Sequence, residues 1–114
     1  MILKDTRLSR LSNPLVIVVP YDSRLQIQSA ADLTGPGLRK LALAEPRTVP
    51  AGIYAREYLE HQQLWKRLES RVVPTENVRA ALAAVEAGNA EAGIVYKTDV
   101  APGKKVKIVF EIPA

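Results

Sequence analysis

Two short stretches of this chain, Thr48-Val49-Pro50-Ala51-Gly52 and Glu76-Asn77-Val78-Arg79, have the makeup of a loop turning into a helix. The first amides of a helix lack intrahelical acceptors, and the helix dipole adds partial positive charge there. Such a turn can hold an anion. Pro50 suits the first helical position, and Ala51 and Gly52 are small enough to let a ligand approach their N–H groups. In the second stretch Asn77 reads as the N-cap, and the Val78 amide follows it as a donor whose side-chain type matters little. A third stretch, Gly93-Ile94-Val95-Tyr96, ends a short apolar run in a tyrosine, whose hydroxyl can donate to an anion. Each stretch alone also fits a plainer role: an ordinary helix start, a capped helix, a rim or core aromatic. Taken together they suggest one half of an oxyanion-binding site.

The elements that would carry these groups are legible from hydrophobic pattern. Leu15–Val19 is an unbroken aliphatic run ended by Pro20, the signature of a strand buried on both faces. Ser29 opens a short helix with Asp32 as its capping partner, and Gly35-Pro36-Gly37 ends it. Leu41–Ala44 is a second strand. A helix from about Val49-Pro50 to His61 follows, with Ala51, Ala55, Tyr58 and Leu59 at helical spacing. Trp65 and Leu68 mark a helical turn, and Arg71–Pro74 a third strand. A helix over about 77–87 has Val78, Ala81, Leu82 and Val85 at i, i+3, i+4 and i+7 and ends at Gly88-Asn89. Ala92–Tyr96 is a fourth strand. Val106–Phe110 is a fifth, its alternation suited to an edge. This order predicts an α/β fold, a three-layer α/β/α sandwich on a mostly parallel mixed sheet of about five strands. Residues 1–12 read as a lead-in and 13–114 as a single lobe.

Composition narrows the function classes. A chain of 114 residues with 47% hydrophobic and 25% charged residues fits one small globular unit. With no cysteine and His61 as the lone histidine, thiolate and multi-histidine metal sites are excluded. The net charge is +4, but the 16 basic residues are dispersed and aromatics are 5%, a poor match to a nucleic-acid surface. Glu57, Glu60 and Arg56 read as a solvated helix face, and His61 as a cation favoured at a helix end. Ser9, Ser12 and Ser23 have no evident base partner. No glycine-rich phosphate loop occurs. A non-enzyme is expected, with no cofactor and no metal. No apolar run reaches the roughly 20 residues of a membrane helix, and Met1–Asp5 lacks a signal-peptide core.

The same residues carry a family resemblance. Asn13-Pro14-Leu15-Val16-Ile17-Val18-Val19-Pro20, Ala31-Asp32-Leu33 and Val49-Pro50-Ala51-Gly52-Ile53-Tyr54-Ala55 occur in order. They are followed by Trp65, Glu76-Asn77-Val78-Arg79-Ala80-Ala81-Leu82 and Gly93-Ile94-Val95-Tyr96-Lys97-Thr98-Asp99. Over about residues 13–112 the chain resembles the second lobe of the periplasmic molybdate-binding proteins of ABC transporters, of the type 2 periplasmic-binding-protein class. The resemblance implies two lobes that close on a tetrahedral oxyanion, molybdate or tungstate, for delivery to a membrane permease. It implies that this lobe donates the amides of Ala51 and Val78 and the hydroxyl of Tyr96, with molybdate held as an oxyanion rather than as a ligated metal. It also implies a periplasmic or extracytoplasmic setting and a truncated parent, since the first lobe is missing. A binding lobe for another anion, such as sulfate or phosphate, is one alternative. A small regulatory module for effector binding or self-association is another. Without a first lobe, Leu15–Val19 is expected to leave unpaired backbone groups, and Val106–Phe110 a second edge, so that homo-oligomers form by strand pairing, with residues 1–13 involved.

Overall fold

The computed structural model describes residues 14–25, 27–35, 37–100 and 105–112. Five strands form one sheet: β1 (Leu15–Pro20), β2 (Leu41–Ala44), β3 (Val72–Thr75), β4 (Ala92–Tyr96) and β5 (Val106–Glu111). Their spatial order is β3-β2-β4-β1-β5. β2 runs parallel to β3 and to β4, while β1 runs antiparallel to both its neighbours, β4 and β5. Four strands therefore point one way and β1 points the other.

β1 is unbroken in hydrophobicity because both of its faces are covered. Leu15, Ile17 and Val19 join Leu41, Leu43, Ala92 and Ile94 in one apolar cluster. Val16 and Val18 join Ala42 and Val95 in a second. Helix α1 (Pro50–His61) closes the first face through Ala51, Ala55 and Leu59. The short helix α2 (Trp65–Leu68) adds Trp65 and Leu68, and a 3-10 helix, Ala30–Thr34, adds Ala30 and Leu33. Helix α3 (Val78–Glu86) closes the second face through Ala81, Leu82 and Val85. This is the three-layer sandwich expected from the element order. Gly93 permits the close seat of α3, since a Cβ there would meet Val85 Cγ2 at 2.7 Å and the Ala42 carbonyl oxygen at 3.3 Å.

Two expectations need correction. β1 is not an unpaired strand: it is the fourth of five in the sheet and hydrogen-bonds on both sides, so its backbone groups are satisfied. The sheet ends instead at β3 and β5. The regular alternation expected of β5 is also interrupted. Ile17 pairs with Phe110 and Val18 with Ile108, so Val109 is an extra, bulged residue. Val109 and Phe110 consequently both pack toward the α1 layer. The lead-in residues, with Ser9, Ser12 and the part proposed for residues 1–13, lie outside the described residues.

Candidate functional site at the carboxyl ends of the parallel strands

β2, β3 and β4 all end at one rim. In register, Ala44 lies beside Thr75 and Leu43 beside Ile94, and the chain continues past each strand at that end. After β2 the chain turns into α1 on one face. After β3, its neighbour, the chain turns into α3 on the opposite face. Connections that leave adjacent strands toward opposite faces open a crevice between them, the usual ligand position in open α/β sheets.

The start of α1 is fixed tightly to the end of β2. The Glu45 carbonyl accepts from the amides of Thr48 at 3.3 Å and Val49 at 3.0 Å, and Val49 accepts from Ile53 at 2.9 Å. Pro50 has no N–H to satisfy. The amides of Ala51 and Gly52 donate to no protein acceptor among the described residues. The small side chains also serve packing. Ala51 is buried in the α1 cluster, and a Cβ on Gly52 would lie 2.1 Å from the Ala44 carbonyl oxygen.

The start of α3 follows its expected cap. Asn77 is extended, and its Oδ1 accepts from the Ala80 amide at 2.8 Å. The Thr75 hydroxyl donates to the Asn77 carbonyl at 2.8 Å, which ties the cap to the end of β3. The Ala81 amide is taken by the Asn77 carbonyl at 3.2 Å. The amides of Val78 and Arg79 are left without a protein acceptor among the described residues. The Val78 side chain touches both apolar clusters, so this turn stands at the end of the sheet between the two helical layers.

Tyr96 closes β4 opposite Leu15 of β1. It is half-buried against the α1 cluster. Its amide donates to Asp99 Oδ2 at 3.2 Å, and the Lys97 amide donates to the Pro14 carbonyl at 2.8 Å, which pins the end of the strand. Burial raises the Tyr96 phenol above its ordinary value near 10, with further contributions from the nearby Tyr54 and Asp99. The hydroxyl thus keeps its proton, and its donor capacity, at neutral pH. The three residues singled out from sequence, Ala51, Val78 and Tyr96, share this rim. Tyr54, three residues beyond Ala51 on α1, is exposed.

The other candidates are structural or solvated. Arg56 pairs with Glu60 at 3.1 Å and stands 5.2 Å from the centre of the Trp65 ring. His61 and Glu57 are exposed, and the Ser23 hydroxyl accepts from the Leu25 amide at 3.1 Å. Among the described residues there is no cluster of metal-ligating side chains, and no helix is long and apolar enough to cross a membrane.

Residues 3–114 match the family described as bacterial extracellular solute-binding protein. The chain is 41% identical over 112 residues to the molybdate-binding protein ModA of Escherichia coli (strain K12), which covers 95% of this chain and 44% of that protein. It is 40% identical over 104 residues to YvgL of Bacillus subtilis (strain 168), provisionally named an ABC transporter substrate-binding lipoprotein, covering 91% of this chain and 39% of that one. Among solved structures, the substrate-binding domain of a provisionally assigned molybdenum ABC transporter from Clostridium difficile superposes with a TM-score of 0.82 at 36% identity. That match covers 89% of this chain and 43% of the other. The chain thus spans less than half the length of these relatives.

Proposed function

We propose that this chain, which belongs to the bacterial extracellular solute-binding protein family, forms one half of a binding site for a tetrahedral oxyanion, molybdate or tungstate. The observation that carries the reading is the rim itself. Two helix starts with unused amides and one protonated tyrosine hydroxyl share the carboxyl ends of β2, β3 and β4. The Ala51 and Val78 amides and the Tyr96 hydroxyl are the donors assigned. The likeness to a molybdate-binding protein supports the choice of anion.

Neutral donors suit a carrier. A dianion held by converging N–H and O–H groups is stabilised by their dipoles, and charge-assisted hydrogen bonds are the stronger kind. No Lys or Arg side chain is required, so the complex stays releasable. Backbone N–H groups donate but cannot accept a hydrogen bond, so they offer nothing to the O–H of hydrogen phosphate and favour a fully deprotonated anion. The role follows: extracytoplasmic capture of the anion and presentation to a membrane permease, with binding rather than catalysis as the activity.

Calorimetric titration of the chain with molybdate, tungstate, sulfate and phosphate tests the reading. Three donors at roughly 1.5–3 kcal/mol each, replacing only part of a hydration shell, give affinity on the order of millimolar. Molybdate and tungstate should bind in preference to phosphate. Equal or stronger phosphate binding would overturn the assignment.

A further inference from the structure

We propose that Thr75, the last residue of β3, is a positioning residue for the Val78 amide: its hydroxyl holds the Asn77–Val78 peptide plane, and its carbonyl ties that plane to the loop that starts α1. The inference rests on the oxyanion reading above and adds to it a residue that makes no contact with the anion.

A trans peptide unit is rigid and planar, so the Asn77 carbonyl and the Val78 N–H lie in one plane and point in opposite directions. Whatever holds the carbonyl therefore aims the amide. Two donors hold it: the Thr75 hydroxyl at 2.8 Å and the Ala81 amide at 3.2 Å. The Ala81 bond is the ordinary first bond of a helix, whereas the Thr75 bond comes from outside α3 and is the shorter. Both also polarise the unit, which makes the Val78 N–H a stronger donor. Thr75 reaches the other helix start as well. Its carbonyl accepts from the Glu45 amide at 2.8 Å, and the Glu45 carbonyl accepts from the Thr48 and Val49 amides at the entry to α1. One residue thus links the two turns that carry unused amides and fixes one relative to the other. The hydroxyl has no capacity left for the anion. It has one proton, and that proton faces protein carbonyls, Asn77 at 2.8 Å and, less closely, Leu43 at 3.4 Å. Its lone pairs only accept, and a fully deprotonated oxyanion has nothing to donate to them. Strand packing accounts for the branched side chain but not for the hydroxyl, since valine suits a strand position of this shape equally well.

The test uses the 114-residue chain labelled with nitrogen-15, the Thr75→Val, Thr75→Ser and Thr75→Ala variants, and sodium molybdate as the probe, at a temperature where melting curves show each variant folded. Thr75→Val keeps the branched shape and removes the hydroxyl. Its Kd for molybdate should rise about three- to tenfold, and the molybdate-induced shift of the Val78 amide at saturation should shrink. Thr75→Ser keeps the hydroxyl and should hold the Kd within about twofold of the parent chain. Thr75→Ala covers the case in which the valine variant does not fold, and it should weaken binding to the same extent. A folded Thr75→Val or Thr75→Ala chain with an unchanged Kd and an unchanged Val78 shift would overturn the inference and leave Thr75 a structural residue only. So would a Thr75→Ser chain that binds as weakly as the valine variant. No response of the Val78 amide to molybdate in the parent chain would instead overturn the oxyanion reading, and this inference with it.

Discussion

The Tyr96 hydroxyl is assigned as a donor because burial and its neighbours keep it protonated. Tyr96→Phe keeps the half-buried ring and removes one charge-assisted hydrogen bond. Molybdate affinity should fall about tenfold or more with little change in thermal stability, read by calorimetry and a melting curve. The pH dependence has a definite sign. The folded pKa is raised, so the protonated phenol contributes fully below the unfolded value of about 10 and is lost as pH rises through the higher folded value. Molybdate affinity should therefore be insensitive to Tyr96 ionisation at neutral pH and fall above about pH 10, and in Tyr96→Phe that alkaline loss should disappear. Gly52 makes a separate residue-scale test. A Cβ there would lie 2.1 Å from the Ala44 carbonyl oxygen and 2.7 Å from that of Glu45. Gly52→Ala must push α1 off the end of β2, with an expected cost of about 1–3 kcal/mol in denaturant unfolding and a loss of anion binding.

At the scale of elements, helix ends and a loop clamp position the donors. Asn77→Ala removes the cap acceptor for the Ala80 amide, costs about 1 kcal/mol, and frays the turn that presents the Val78 amide. Arg71 supports the opposite end of the sheet. Its Nη1 donates to the carbonyls of Leu33, Gly35 and Leu38 at 3.1, 2.9 and 3.0 Å. Arg71→Ala leaves these acceptors without that donor; about 2–3 kcal/mol of stability should be lost, and hydrogen exchange should accelerate around residues 33–38. Most elements were legible in the sequence because their signals are local. Pro50 at a first turn, Asn77 as a cap, Gly88 after α3 and the aliphatic run of β1 each specify their element without reference to a partner. What escaped depends on distant contacts. The β5 bulge is set by pairing with β1, the Arg71 clamp spans more than thirty residues, and the end of α1 uses Gln63 at φ 61, where glycine would be the expected residue. The site was legible as helix starts because the Pro50 and Asn77 signals are local, whereas the seating of Tyr96 against the α1 cluster exists only once α1 packs on the sheet.

For the whole molecule, the position of β1 inside the sheet removes one of the two edges on which strand-paired self-association was expected. The remaining edges carry features that oppose pairing: β3 has four residues including Pro74, and β5 has Lys107 and a bulge. Association by strand addition then depends on β5, where Ile108 is 42% exposed. Light scattering over a concentration series should show Lys107→Val associating more strongly than the parent chain if that edge is the one used. The central claim is that the Ala51 and Val78 amides and the Tyr96 hydroxyl together receive a tetrahedral oxyanion. Its most direct test is a nitrogen-15 NMR titration of the chain with sodium molybdate, with tyrosine Cζ followed in parallel. The account predicts that the Ala51 and Val78 amide signals and the Tyr96 Cζ signal shift along one saturation curve, with a Kd on the order of millimolar. Shifts confined to exposed lysines and arginines, with those three signals unmoved, would contradict it.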